Sequence, residues 1–203
     1  PNGQTIYPRS DPAVNMALEL LRWASVGIVS GSALPWPPNA PRPGVNRDST
    51  QLCIDAQALG AMAFILHHEL AHHRLNHSAP SSLDQERDAD IAAVDWVLGD
   101  IAPSSHHFEA RSLAVSVSLL YLVVHGVYTG DHGGTSHPRD YDRLISSLRR
   151  YTPNPNAAVW GFVGACLDLH MQDANMVALR GPFDDHYSFC NCLADALSRR
   201  PPL

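Results

Sequence analysis

His68-Glu69-Leu70-Ala71-His72 carries residue types and a spacing able to do chemistry. The segment lies within residues 61–77, which contain no Pro and no internal Gly, so a helix is predicted there. On a helix, side chains four apart stand one turn from each other, and both imidazoles can face a single ion. Glu69, next to the first histidine, can then reach a water on that ion and take its proton. This is the arrangement of zinc-assisted hydrolysis, with one catalytic Zn2+ expected. The competing reading is loose metal adsorption, because the chain has 12 His in 203 residues and His67, His73 and His77 crowd the motif. Ala63, Phe64, Leu66 and Leu70 form an apolar stripe, which predicts instead that this helix packs into a core.

A zinc that works on water needs three protein ligands and one open position. The missing ligand is expected from the next element. Residues 78–82 read as a turn, and residues 83–98 as a second helix ended by Gly99. Ser81 or Ser82 can cap this helix, and Ser82 with Gln85 fits a capping box. Glu86 and Asp90 are four apart and face the same way. A short connection sends the second helix back antiparallel, bringing both carboxylates alongside His68 and His72. Hairpin geometry alone does not rank Glu86 over Asp90 or Asp88, and a simple mirror about the turn sets Asp90 level with His72.

His-Glu-x-x-His followed by Glu86-Arg-Asp-Ala-Asp90 resembles the gluzincin metallopeptidases. The resemblance implies that Glu86 is the zinc ligand and that Asp90 orients a histidine ligand, with Asp90 the fallback ligand. Residues 68–77 with Gln85-Glu86, Ala89-Asp90 and Asp95-Trp96 are similar to the Lit-type phage-exclusion peptidases. His137-Pro138-x4-Arg143 resembles a segment of the CAAX-processing and heat-shock membrane zinc endopeptidases. In that family the His and Arg stand near the substrate carbonyl, which implies catalytic roles for His137 and Arg143. These matches span roughly residues 61–148, and only the catalytic elements of the membrane family carry over.

The chemistry implied is peptide hydrolysis. Zinc brings the pKa of its water towards about 7, and Glu69 acts as base and then returns the proton to the leaving amine. His137 and Arg143 are the expected donors to the oxyanion, with Tyr121, Tyr128 and Tyr141 as further candidates. The bland alternative for His137 is a helix start beside a Pro, and for Arg143 a surface residue complementing a helix dipole. Trp96 and Trp160 are expected in the core or a cleft wall, Asp95 to pair locally, His106 and His107 to be exposed, and His125 to be a satisfied core histidine.

Composition bounds the rest. One metallopeptidase domain is expected over residues 1–203, or over a piece of a longer chain, since the polar Pro1-Asn-Gly-Gln start has neither Met nor signal peptide. A formal net charge of −6, with no Lys among the 14 basic residues, leaves no basic footprint for nucleic acid. Cys53, Cys166, Cys190 and Cys192 show no spacing that demands a disulfide, so reduced thiols and a cytoplasmic setting are expected, with delivery as an effector left open. The apolar run at 113–128 includes Ser116, Ser118 and His125, and is expected to be a buried core helix rather than a membrane span.

The fold expected is mainly α, a compact zincin-like core of the minimal gluzincin kind, with at most a small sheet. Helices are predicted near 12–29, 51–78, 83–98, 105–127, 138–150, 156–178 and 184–198. The proline-rich stretch 31–48 reads as a connector, and Val26–Val29 or Val45 are the candidate strand residues. Residues 129–136 are glycine-rich and could form a lid over His137. The expected function is a zinc endopeptidase acting on a specific protein or peptide substrate. The alternatives are a metal-binding regulatory or interaction module without turnover, and a structural zinc site closed by Asp88 or His77.

Overall fold

The computed structural model describes residues 12–38, 40, 49–129, 133–135, 137–173 and 182–198. Seven helices are present among them: α1 Pro12–Ser30, α2 Ser49–Arg74, α3 Leu83–Leu98, α4 His106–Thr129, α5 Asp140–Tyr151, α6 Ala158–Asp173 and α7 His186–Ser198. The described residues include no strand, so the architecture is mainly α as expected. Val26–Val29, weighed above as a strand, complete α1 instead. Val45 lies outside the described residues.

The chain divides into two compact units, residues 1–47 and 48–203. In the first, α1 begins at Pro12, whose ring presets a helical φ. The segment after α1 folds back on it: the Trp23 indole N–H donates to the Pro35 carbonyl at 2.9 Å, and the Trp23 and Trp36 rings meet edge-on at 4.9 Å.

The second unit is built around α4. Val115, Leu119 and Val123 of α4 are fully buried, against Val94 and Leu98 of α3, Leu144 and Leu148 of α5, and Trp160 and Val163 of α6. Leu193 and Leu197 of α7 complete the cluster. By length and composition, residues 106–126 of α4 could cross a membrane, but 56% of the apolar window is buried inside the protein. Burial is what a core helix requires.

α2 crosses α4 at close range. A Cβ on Gly60 would stand 2.6 Å from the Ala114 Cβ, so only glycine fits that crossing. The Ser118 hydroxyl of α4 donates to the Ala61 carbonyl of α2 at 2.9 Å. The packed face of α2 is Ala61, Phe64, His68 and Ala71. This corrects the stripe read from the sequence: Phe64 is buried, whereas Leu66 and Leu70 are exposed. α2 is apolar around most of its circumference, so periodicity could not single out the packed side.

Candidate metal centre

α2 stops at Arg74, four residues short of the expected end, and a left-handed residue stops it. Asn76 has φ 54°. The His77 N–H donates back to the His72 carbonyl at 3.0 Å and the Asn76 N–H to the His73 carbonyl at 3.3 Å, the two bonds of a Schellman motif. This turn carries the His77 ring back against His72. α3 then starts at the expected capping box: the Gln85 N–H donates to the Ser82 hydroxyl at 3.2 Å, and the Ser82 N–H to the Gln85 side chain at 2.9 Å.

α3 returns along α2, with later residues of one opposite earlier residues of the other. Glu86 Oε1 lies 3.4 Å from His72 Nε2, and Glu86 Oε2 lies 3.4 Å from His68 Nε2. Asp90 Oδ1 lies 2.9 Å from His68 Nδ1. The register therefore separates the two carboxylates that sequence spacing left equivalent. Glu86 meets the Nε2 atoms of both histidines, while Asp90 lies behind His68. Asp88 is exposed and outside the cluster.

The donor set fits a small divalent ion. The nearest ligand atoms of His68, His72 and Glu86 all fall within 4.8 Å of one another. The two Nε2 atoms are 3.1 Å apart, close to the roughly 3.3 Å of two nitrogens sharing a tetrahedral zinc with bonds of about 2.0–2.1 Å. Glu86 is only 2% exposed, and its Oε2 has no hydrogen-bond partner. A buried carboxylate oxygen in that state is costly unless a cation neutralises it. The Ser81 hydroxyl donates to the other oxygen, Oε1.

Each histidine also has a neighbour 2.9 Å from its other nitrogen, which leaves Nε2 pointing inward. His68 uses Asp90. His72 uses His77, Nδ1 to Nδ1 at 2.9 Å. His77 was a candidate to close the site as a fourth ligand; it stands behind His72 instead. Neither His77 nor Ser81 was read from the sequence as a support. The signal for His77 was Asn76, a residue that tolerates the left-handed conformation at a helix end.

Asp90 is held tightly from a third element. The Arg143 guanidinium of α5 donates from Nε at 2.8 Å to Oδ2 and from Nη2 at 2.7 Å to Oδ1. Burial by itself pushes the Asp90 carboxyl up; the bonds from His68 and Arg143 and the guanidinium charge outweigh it and hold it below the usual carboxylate range. Burial likewise opposes the Arg143 charge, and Asp90 overcomes it, so the pair is ionised.

The open side is a hollow of about 280 Å³ lined by His68, Glu69, His72, His77, Ser78, Ala79, Ser81, Glu86 and His137. Glu69 is exposed there. His137 Nε2 lies 3.7 Å from Glu86 Oε2, with its side chain about half exposed. The turn before α5 presents it: Gly133 and Gly134 have φ 73° and 97°, and the Gly134 N–H donates to the His137 carbonyl at 2.5 Å. A Cβ on Gly133 would lie 2.6 Å from the Pro138 carbonyl oxygen. α5 begins at Asp140, so Pro138 precedes the helix rather than opening it. The suggested lid at 129–136 falls partly on residues 130–132 and 136, outside the described residues.

His137 and Arg143, paired by the sequence reading, thus face different spaces. Arg143 is absent from the hollow and lines a larger groove of about 1140 Å³ between α3, α5 and α7. Tyr141 is buried beside Arg143 and Tyr121 stacks on His125 at 5.9 Å; neither lines the hollow. The Tyr128 side chain lies outside the described residues. Trp160 is in the core as expected, but Trp96 is 55% exposed and stacks on His67 at 3.3 Å. Asp95 pairs with Arg150 of α5 at 3.3 Å, a contact between helices rather than a local one. His106 and His107 are exposed as expected.

The family described as peptidase U49 matches residues 1–163. The cell death peptidase of Escherichia coli (strain K12) is 30% identical over 141 residues, covering 66% of this chain and 46% of the relative. The chain thus spans about half the length of that curated relative. No solved structure matches.

Proposed function

Because the chain belongs to the peptidase U49 family, we propose that it is a zinc-dependent endopeptidase hydrolysing peptide bonds of a specific protein substrate. The observation that carries this reading is the buried Glu86 carboxylate meeting His68 Nε2 and His72 Nε2 beside an open hollow. His68, His72 and Glu86 are the three ligands. When bound, zinc supplies an acidified water and a Lewis acid for the scissile carbonyl.

Glu69 takes the proton of the attacking water and passes it to the leaving amine. Its exposed position on the hollow leaves room for both transfers. His137 donates to the oxyanion from the far side of the hollow, a contribution of a few kcal/mol in such sites. Asp90 and His77 keep the two ligand rings from turning. Among the described residues no strand offers an edge for the substrate to extend. A single defined protein target and a host-defence role both accord with the Lit-type resemblance. The free cysteines accord with a reducing, cytoplasmic setting.

The decisive comparison is between the zinc-loaded protein and Glu69→Gln, read by the appearance of new N termini in a protein extract. Glu69→Gln is expected to keep one zinc per chain and to lose at least about 100-fold in cleavage rate. Undiminished cleavage would remove Glu69 as the base. Zinc binding without cleavage by the parent protein would favour a metal-binding module that does not turn over.

A further inference from the structure

We infer that Arg143 is a positioning residue, which acts on the metal centre through Asp90 and His68 and does not touch the substrate. This rests on the zinc reading above. Three contacts in series carry it: the bidentate bonds from Arg143 to Asp90, the contact from Asp90 to His68 Nδ1, and the inward direction this gives His68 Nε2. The chain crosses from α5 through α3 to α2, and all three side chains are buried, at 8%, 3% and 8% exposure.

The fork of the guanidinium matters as much as its charge. Two parallel bonds fix the plane of the Asp90 carboxylate, and only one orientation of that plane presents Oδ1 to the imidazole. Both Asp90 oxygens are engaged by Arg143, and Oδ1 also meets His68, so the carboxylate has no free rotation. The spacing of His137 and Arg143 gains a physical meaning from this. One element supplies both residues: the turn before α5 brings His137 to the open face of the centre, and the first turns of α5 bring Arg143 to its closed face.

The test measures zinc affinity by chelator competition on purified wild type, Arg143→Met, Arg143→Lys, Asp90→Asn and the Asp90→Asn/Arg143→Met double variant. A one-dimensional NMR spectrum of each zinc-loaded protein follows the imidazole N–H proton on His68 Nδ1. Arg143→Met is expected to bind zinc about 10–100-fold more weakly and to shift or lose that resonance. Arg143→Lys, which keeps the charge without the fork, should fall between it and wild type. Asp90→Asn/Arg143→Met should bind no more weakly than Asp90→Asn alone, since Arg143 acts only through Asp90. An ion pair that merely stabilises the fold would lower the melting temperature and leave affinity and resonance unchanged. Should Arg143→Met fail to fold, Arg143→Lys with affinity within twofold of wild type and an unmoved resonance overturns the inference. The same result in Arg143→Met overturns it directly. A wild type that binds no zinc overturns the zinc reading, and this inference with it.

Discussion

Glu86 and Asp90 are both acidic, one helical turn apart on α3, and both are buried. Their neighbours give them different work. The Glu86 carboxylate meets the Nε2 atoms of both histidines and has one oxygen, Oε2, without a hydrogen-bond partner, whereas both oxygens of Asp90 are already engaged by Arg143. A carboxylate so committed has little left for an ion; one with an orphaned oxygen needs it. Glu86→Ala is therefore expected to lose zinc on dialysis, while Asp90→Ala retains it with an affinity about 10–100-fold weaker. Metal analysis of the two proteins decides this, and loss in Asp90→Ala alone would exchange the assignments. The spacing of the two acids was legible in the sequence, and so was their shared face. Their division of roles was implied there only by resemblance, because it depends on how far α3 slides along α2. The mirror argument misplaced Asp90 because α2 ends early and a Schellman turn, not a symmetric hairpin, begins the connection.

The helices themselves were legible almost throughout, from capping residues and breakers. Ser82 with Gln85 starts α3 where expected, and the observed bounds of 83–98 match the expected ones. What the sequence did not show is which side of α2 packs. Gly60 is the informative residue, and its role appears only at the crossing with α4. In an open helix, Gly60→Ala would be favourable by about 1 kcal/mol. Here the new methyl meets Ala114 at 2.6 Å, and overpacking of about 1–3 kcal/mol outweighs that gain. Gly60→Ala is expected to lower the melting temperature, and Ala114→Gly added to it to recover part of the loss. Recovery measured by thermal denaturation supports the crossing; a more stable single variant would refute it.

In the second unit, the proposed metal ligands come from α2 and α3, so an ion there would tie these two helices together. At about a hundredfold excess over Kd, a ligand of the folded state alone adds about 2.7 kcal/mol. For a chain of this size that is a rise of about 5–10 °C, expected for wild type and absent in Glu86→Ala. Thiol labelling probes the core independently. Burial pushes the Cys166 and Cys190 thiols up to about 12, and a thiol unable to ionise does not react at neutral pH. Cys53 is exposed and should label at once, with the buried Cys190 following only on denaturation. Rapid labelling of Cys190 in the folded protein would contradict its place behind Trp160. The chain's own letters determined its helices and the pairing of the His-Glu-x-x-His motif with an acidic one, because both depend on residues within a turn or two of each other. The tertiary structure alone decided that Arg143 serves Asp90, 53 positions away, and that His137 reaches the open face. A cation takes its role from the groups within about 3 Å of it, and contacts between helices distant in the chain leave no periodic trace in sequence.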